Sequence, residues 1–170
     1  MSLLGAGWTL GSIAALARAG VPSATYYETT GWLGVMETEE GAPLPAAFRS
    51  VPGGVYPLYH VFRAVGAFSA GDVLEVAVGD PLRVQALALR KEDATRVLIA
   101  NVGSEKTEVA LRGLPGERAA LHRLDATNAE AAMAAPEAHW QAVPEDVEID
   151  EGEARLVLPP YGLAWLEIAH

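Results

Sequence analysis

The sequence predicts a mainly β protein with an α/β segment at its N-terminal end: an antiparallel β-sandwich preceded by a helix, a strand and a second helix. From Asp72 onward, short runs rich in apolar and β-branched residues are separated by turn residues at regular intervals, the pattern of a sandwich. Before that point the apolar spacing is helical, then extended, then helical again, the rhythm of a parallel α/β unit. The change of pattern divides the chain into residues 1–68 and 69–170. With 170 residues, 51% of them hydrophobic, the chain is long enough to bury roughly 70% of the surface of its unfolded form.

In the first segment, Leu10, Ile13, Ala14, Leu16 and Ala17 recur at helical spacing. They predict a helix over residues 8–19, closed by Gly20 in the left-handed conformation. Residues 24–30, rich in Thr and Tyr, predict a strand in which Tyr26 and Tyr27 point to opposite faces and Tyr26 shares the face of Glu28. Residues 31–54, with Pro43, Pro45, Pro52 and a Gly53-Gly54 pair, predict a long irregular loop of the kind that is functional or mobile. Pro57 suits a first helical position, and Leu58, Val61, Phe62 and Val65 form an apolar stripe that ends at Gly66. One parallel strand cannot stand without neighbours, and a complete (β/α)8 barrel takes about 250 residues. The segment is therefore either an edge element of the sandwich or the end of a longer barrel.

In the second segment, strands are predicted over residues 73–78, 84–90, 96–102, 107–111, 119–124, 147–149, 154–158 and 163–168. Residues 107–111 and 155–158 alternate apolar with polar, as strands do when one face is packed and the other is in water. The Ala-rich stretch 128–139 predicts a short helix capped by Thr127 or Asn128, and Asp125 and Asn128 are expected to cap or turn the backbone.

Composition removes several function classes. Lys and Arg number 12 against 22 Asp and Glu, a net charge of −10 with no basic cluster, so no nucleic-acid partner is expected. There is no Cys, which excludes disulfides, thiolate metal sites and a Cys nucleophile. The apolar runs are too short for a membrane span and no basic leader opens the chain, so the expected location is cytoplasmic, with no membrane partner. The four His show no metal-binding spacing, and nucleotide, P-loop and hydrolase-elbow motifs are missing, so no metal or cofactor is expected.

The chemistry-bearing candidates cluster in the first segment. Glu28 lies near the end of the predicted strand, where a barrel would place its active-site rim, and a carboxylate there can act as acid, base, nucleophile or hydroxyl-binding group. The plainer role is a solvated strand-end Glu. Trp32 offers a flat apolar ring suited to a sugar face, or it fills a gap between loop and core. Tyr26 can line the same site. His60, on the second helix one turn after Tyr56, can reach a substrate or sit partly buried with one nitrogen satisfied. His122 and His139 carry weaker signals.

The stretch Thr25-Tyr26-Tyr27-Glu28-Thr29-Thr30-Gly31-Trp32-Leu33-Gly34-Val35-Met36-Glu37, followed by Val55-Tyr56-Pro57-Leu58-Tyr59-His60-Val61-Phe62, resembles the end of the barrel in D-apionate lactonase-like proteins. Val97-Leu98-Ile99-Ala100-Asn101-Val102 and Pro159-Pro160-Tyr161-Gly162-Leu163-Ala164-Trp165-Leu166 resemble strands of the C-terminal β-sandwich in the same family. The resemblance implies that the chain is the last helix–strand–helix of a (β/α)8 barrel followed by a β-sandwich. It also implies a full-length hydrolase acting on a sugar-acid lactone or a glycoside. Glycosidases with such barrels place their paired carboxylates on the fourth and seventh strands. Glu28, on an eighth strand, is thereby assigned to substrate binding with Trp32, Tyr26 and His60, and this piece alone is expected to be inactive. Its expected partners are a carbohydrate or sugar-acid lactone and a second copy of itself, through the exposed barrel segment. The alternative is a non-catalytic β-sandwich that binds a glycan on Trp32, Trp140 or Trp165, or that serves as a structural or interaction module.

Overall fold

The computed structural model describes residues 2–44, 47 and 49–170, so Pro45 of the expected loop lies outside the described residues. The chain opens with helix α1 (Leu3–Arg18), longer at its N-terminus than expected because Ser2 caps it and accepts a hydrogen bond from the Gly5 amide at 3.2 Å. It closes as predicted: Gly20, at φ 69°, donates to Ala17, and Val21 donates to Leu16, which satisfies two end carbonyls.

The strand expected over residues 24–30 is reduced to β1 (Glu28–Thr30), which pairs in parallel with β2 (Gly34–Met36). Tyr27 takes φ 51°, which breaks the extended run and its alternation. Both tyrosines consequently face the same way. Their rings lie 5.9 Å apart, both against Phe62, and their hydroxyls bond Ser12 (2.7 Å) and Thr9 (2.9 Å) of α1. β2 itself sits inside the stretch expected to be irregular. Helix α2 (Pro57–Gly66) follows with Pro57 in its first turn, as the sequence predicts.

The second segment supplies β3 (Asp72–Leu74), β4 (Val84–Lys91), β5 (Ala94–Asn101), β6 (Thr107–Arg112), β7 (Arg118–Leu124), β8 (Glu145–Glu148), β9 (Glu153–Leu158) and β10 (Leu163–Ala169). The Ala-rich stretch holds two short helices, α3 (Ala129–Ala134) and α4 (Pro136–Gln141). Asn128 caps neither by its side chain. It folds back to accept from the Asp125 amide at 2.9 Å, while Asp125 accepts from the Thr127 amide at 2.8 Å. Six strands form one antiparallel sheet in the order β3-β4-β5-β10-β7-β8, and β6 with β9 forms a second.

Register puts two rows of side chains across the large sheet. Leu87, Leu98, Trp165 and His122 are successive partners and face the helices. Ala88, Val97, Leu166 and Leu121 form the neighbouring row and face β6 and β9. Each row feeds a separate core. One core joins Ala6, Leu10 and Ala14 of α1 and Leu58, Val61 and Ala64 of α2 to the sheet, and the other joins Leu156 and Leu158 of β9 to it. α1 lies close on the sheet because Gly7 carries no side chain: a Cβ there would stand 3.1 Å from Val102 and 3.2 Å from Ala100.

Leu10 and Leu156 are both buried, in different cores. Each truncation to Ala is expected to cost about 2–5 kcal/mol. In thermal unfolding both variants should lower a single transition; two separate transitions would show that the helical segment and the sandwich melt independently.

Candidate functional site

The β1–β2 unit is a tight loop. Glu28 donates its amide to the Leu33 carbonyl at 3.3 Å, Gly31 donates to Met36 at 2.8 Å, and Gly34 donates to Gly31 at 2.7 Å. Glu28 and Trp32 are both exposed on this loop, Trp32 by 41%. Tyr26 is half-buried against Phe62, its hydroxyl committed to Ser12. Glu28 and Trp32 are thus both exposed on one short loop, and Tyr26 lies half-buried two residues before it.

His60 is elsewhere. It is 1% exposed, and both nitrogens are engaged: Nδ1 accepts from Trp140 Nε1 at 2.9 Å, and Nε2 donates to the Ala132 carbonyl at 3.3 Å. This pattern fixes a neutral ring. Burial, with His139 close by, pushes its pKa down to about 4. The family resemblance assigns His60 to substrate binding, with a partly buried ring and one satisfied nitrogen as the plainer role; the structure buries the ring and engages both nitrogens, because Trp140 arrives from a distant helix. Trp165 is 3% exposed and Trp140 is stacked on it at 4.7 Å, so the exposed indoles of the molecule are Trp8 and Trp32.

One pair was not legible in the sequence. Glu37, at the end of β2, is 3% exposed and accepts from the Tyr56 hydroxyl at the start of α2 and from the Thr38 amide at 2.9 Å. Burial opposes its ionisation, but the hydrogen bonds from Tyr56, Thr38 and Ser50 outweigh it and hold the carboxyl below its ordinary range. Burial and the adjacent carboxylate raise the Tyr56 phenol well above its own. The pair ties β2 to α2 just below the β1–β2 loop. Nineteen residues separate the partners, so no local pattern announces it.

Among the described residues no group of three His, Asp or Glu is arranged to hold a metal ion, and no helix is long and apolar enough to cross a membrane. Tyr56→Phe leaves a buried carboxylate short of a donor, and we expect it to lose about 1–3 kcal/mol near neutral pH. Because the Glu37 pKa is lowered by folding, its contribution is present above the unfolded value of 4.5 and is lost as pH falls below it. Urea titrations should therefore show the gap between wild type and variant closing in acid; a gap independent of pH would contradict the ionised pair.

Residues 1–70 match the family model for the D-apionate lactonase TIM barrel domain, and residues 81–166 match that for the D-apionate lactonase C-terminal immunoglobulin-like domain. No curated protein sequence matches the chain. Among solved structures it is similar to the glycoside hydrolase family 30 subfamily 8 xylanase Xyn30A from Clostridium acetobutylicum, with 10% identity and a TM-score of 0.67 over 99% of this chain and 40% of that one. It is similar to a GH30 endoxylanase from Clostridium papyrosolvens C71, with 12% identity and a TM-score of 0.53 over 68% of this chain and 28% of that one. It is also similar to CelM2, a bifunctional glucanase-xylanase from a metagenome library, with 16% identity and a TM-score of 0.54 over 95% of this chain and 34% of that one. At these identities the likeness is one of fold, and the chain spans less than half the length of each structure. With both family matches falling in chain order on the helical segment and the sandwich, the chain belongs to the D-apionate lactonase family and carries a fragment of its TIM barrel domain followed by its C-terminal immunoglobulin-like domain.

Proposed function

We propose that the chain is the C-terminal part of a cytoplasmic carbohydrate hydrolase that opens a sugar-acid lactone or cleaves a glycoside. It supplies one wall of the substrate site and not the reacting groups. The observation that carries this reading is the exposed Glu28 and Trp32 on the β1–β2 loop, within the segment matched to the family's barrel domain. In this reading Glu28 accepts hydrogen bonds from substrate hydroxyls and Trp32 stacks on the apolar face of the ring. Tyr26, anchored by Ser12, supports the loop. His60 acts from the interior by seating Trp140. With no cysteine, nothing in the fold depends on an oxidising compartment.

A second copy is the proposed partner of the isolated chain. Leu4 and Trp8 on α1, with Tyr27, Trp32, Leu33 and Met36 on the loop, are large apolar side chains between 36% and 64% exposed. Exposed apolar side chains gathered on one region mark a site of association.

Two measurements test the reading. The 170-residue chain should show no turnover of sugar-acid lactones; turnover that disappears in Glu28→Gln would overturn the non-catalytic assignment. In the full-length enzyme, Glu28→Gln and Trp32→Ala should each raise KM about tenfold or more with kcat nearly unchanged. Unchanged KM in both variants would remove the loop from the site. For assembly, light scattering should show association that Trp8→Lys weakens; a monomer at all concentrations would contradict it.

A further inference from the structure

Three histidines meet where the helices join the sheet. His60 comes from α2, His139 from α4 and His122 from β7. The His60 and His139 rings are 4.9 Å apart, and His139 stands edge-on to Trp165 at 6.0 Å. His122 stacks on Trp165 at 5.4 Å with 8° between planes. Trp140 stacks on Trp165 at 4.7 Å, lies 6.2 Å from the His122 ring and donates to His60. The six-residue α4 has no buried residue and no side-chain cap, so Trp140, His139 and the ion pair of Glu137 with Arg63 are what hold it down.

The charges around this cluster are already spent. Arg63 of α2 lies 5.0 Å from the Trp140 ring centroid and is paired with Glu137 of α4. Arg96 of β5 is buried, lies 5.8 Å from the same ring, donates to the Ala64 carbonyl at 2.6 Å and is paired with Glu167 of β10. Tyr59 of α2 stands edge-on to His60 and accepts from Arg63. Both carboxylates therefore have an arginine; Glu167 also faces His122 and favours its charged form, but burial of that ring outweighs it, with Arg96 adding to the burial, and Glu137 is held by Arg63. Protonation of His60 would also turn Nδ1 from the acceptor of the Trp140 bond into a second donor aimed at it. At His139 the buried Nε2 has no partner to receive a proton's hydrogen bond.

We propose that His60, His122 and His139 form an acid-sensitive latch, whose protonation unseats Trp140 and releases α4 and the adjoining part of α2 from the sheet while the sandwich stays folded. Burial lowers the pKa of all three rings, with His139 adding to the effect on His60 and His122 to that on His139. Since the folded values lie below the ordinary histidine value of 6.5, stability is full above that pH and declines as pH falls from there toward about 4.

Hydrogen exchange read by mass spectrometry, corrected for the intrinsic pH dependence, tests the latch on the intact chain. Between neutral pH and about pH 4.5, protection in α4 and the adjoining part of α2 should fall roughly tenfold or more while β5 and β10 keep theirs. His139→Phe, which keeps a ring and removes its charge, should retain most of the helix protection in acid. Equal protection at both pH values overturns the proposal, as does a loss that runs through β5 and β10 together and is the same in His139→Phe. If the variant does not fold, NMR of the wild-type histidines decides. Titration accompanied by loss of the Trp140 and Trp165 ring-current shifts supports the latch, and titration with those shifts intact refutes it.

Discussion

A sheet that is apolar on both faces must be covered twice, and this constraint organises the molecule. β5 and β10 sit in the middle of the six-stranded sheet, and neighbours along each, Leu98 with Ile99 and Trp165 with Leu166, are buried on opposite sides. The pair β6 and β9 covers one face. The other is covered by α1, α2 and α3, so the helical segment is a structural layer of the sandwich. The family matches divide the chain in two, but one core contains both Leu10 and Trp165 and runs across the division.

Polar groups inside these layers act as fasteners. Asn101, fully buried, donates to the carbonyls of Glu105 (2.7 Å) and Pro159 (2.9 Å) and accepts from the Gly103 amide at 2.9 Å, joining two turns at the end of β5. Arg96 spans from the sheet to the last turn of α2 through the Ala64 carbonyl, with its stem and head against Phe68. Glu37 and Tyr56 do the same between β2 and α2. Each leaves a costly unpaired group if one partner is removed, which makes these contacts specific to a single arrangement of helices over strands.

The sandwich was legible because its strands have distinct textures. β5 reads as an unbroken apolar run and proves to be buried on both sides, while β6 and β9 alternate and prove to be half-exposed. The helix closure at Gly20 and the start at Pro57 were legible for the same reason: one residue type fits one backbone geometry. The loop was read less well. Tyr27 adopts a positive φ that nothing in a Thr- and Tyr-rich stretch signals, and β2 is only three residues long between a turn and Glu37. Of the proposed site, Glu28, Trp32 and Tyr26 stand close in sequence, and local pattern alone groups them. The bonds that define His60 and Glu37 come from residues distant along the chain, and only tertiary packing brings them in.

The four tryptophans fall into two pairs with opposite surroundings. Trp140 and Trp165 lie face to face, each against a histidine ring, inside the seam between helices and sheet. Trp8 and Trp32 are 64% and 41% exposed, on α1 and on the β1–β2 loop. The wavelength of an indole's emission follows its contact with water, so the red edge of this protein's fluorescence belongs to α1 and the β1–β2 loop and the blue edge to the seam between helices and sheet.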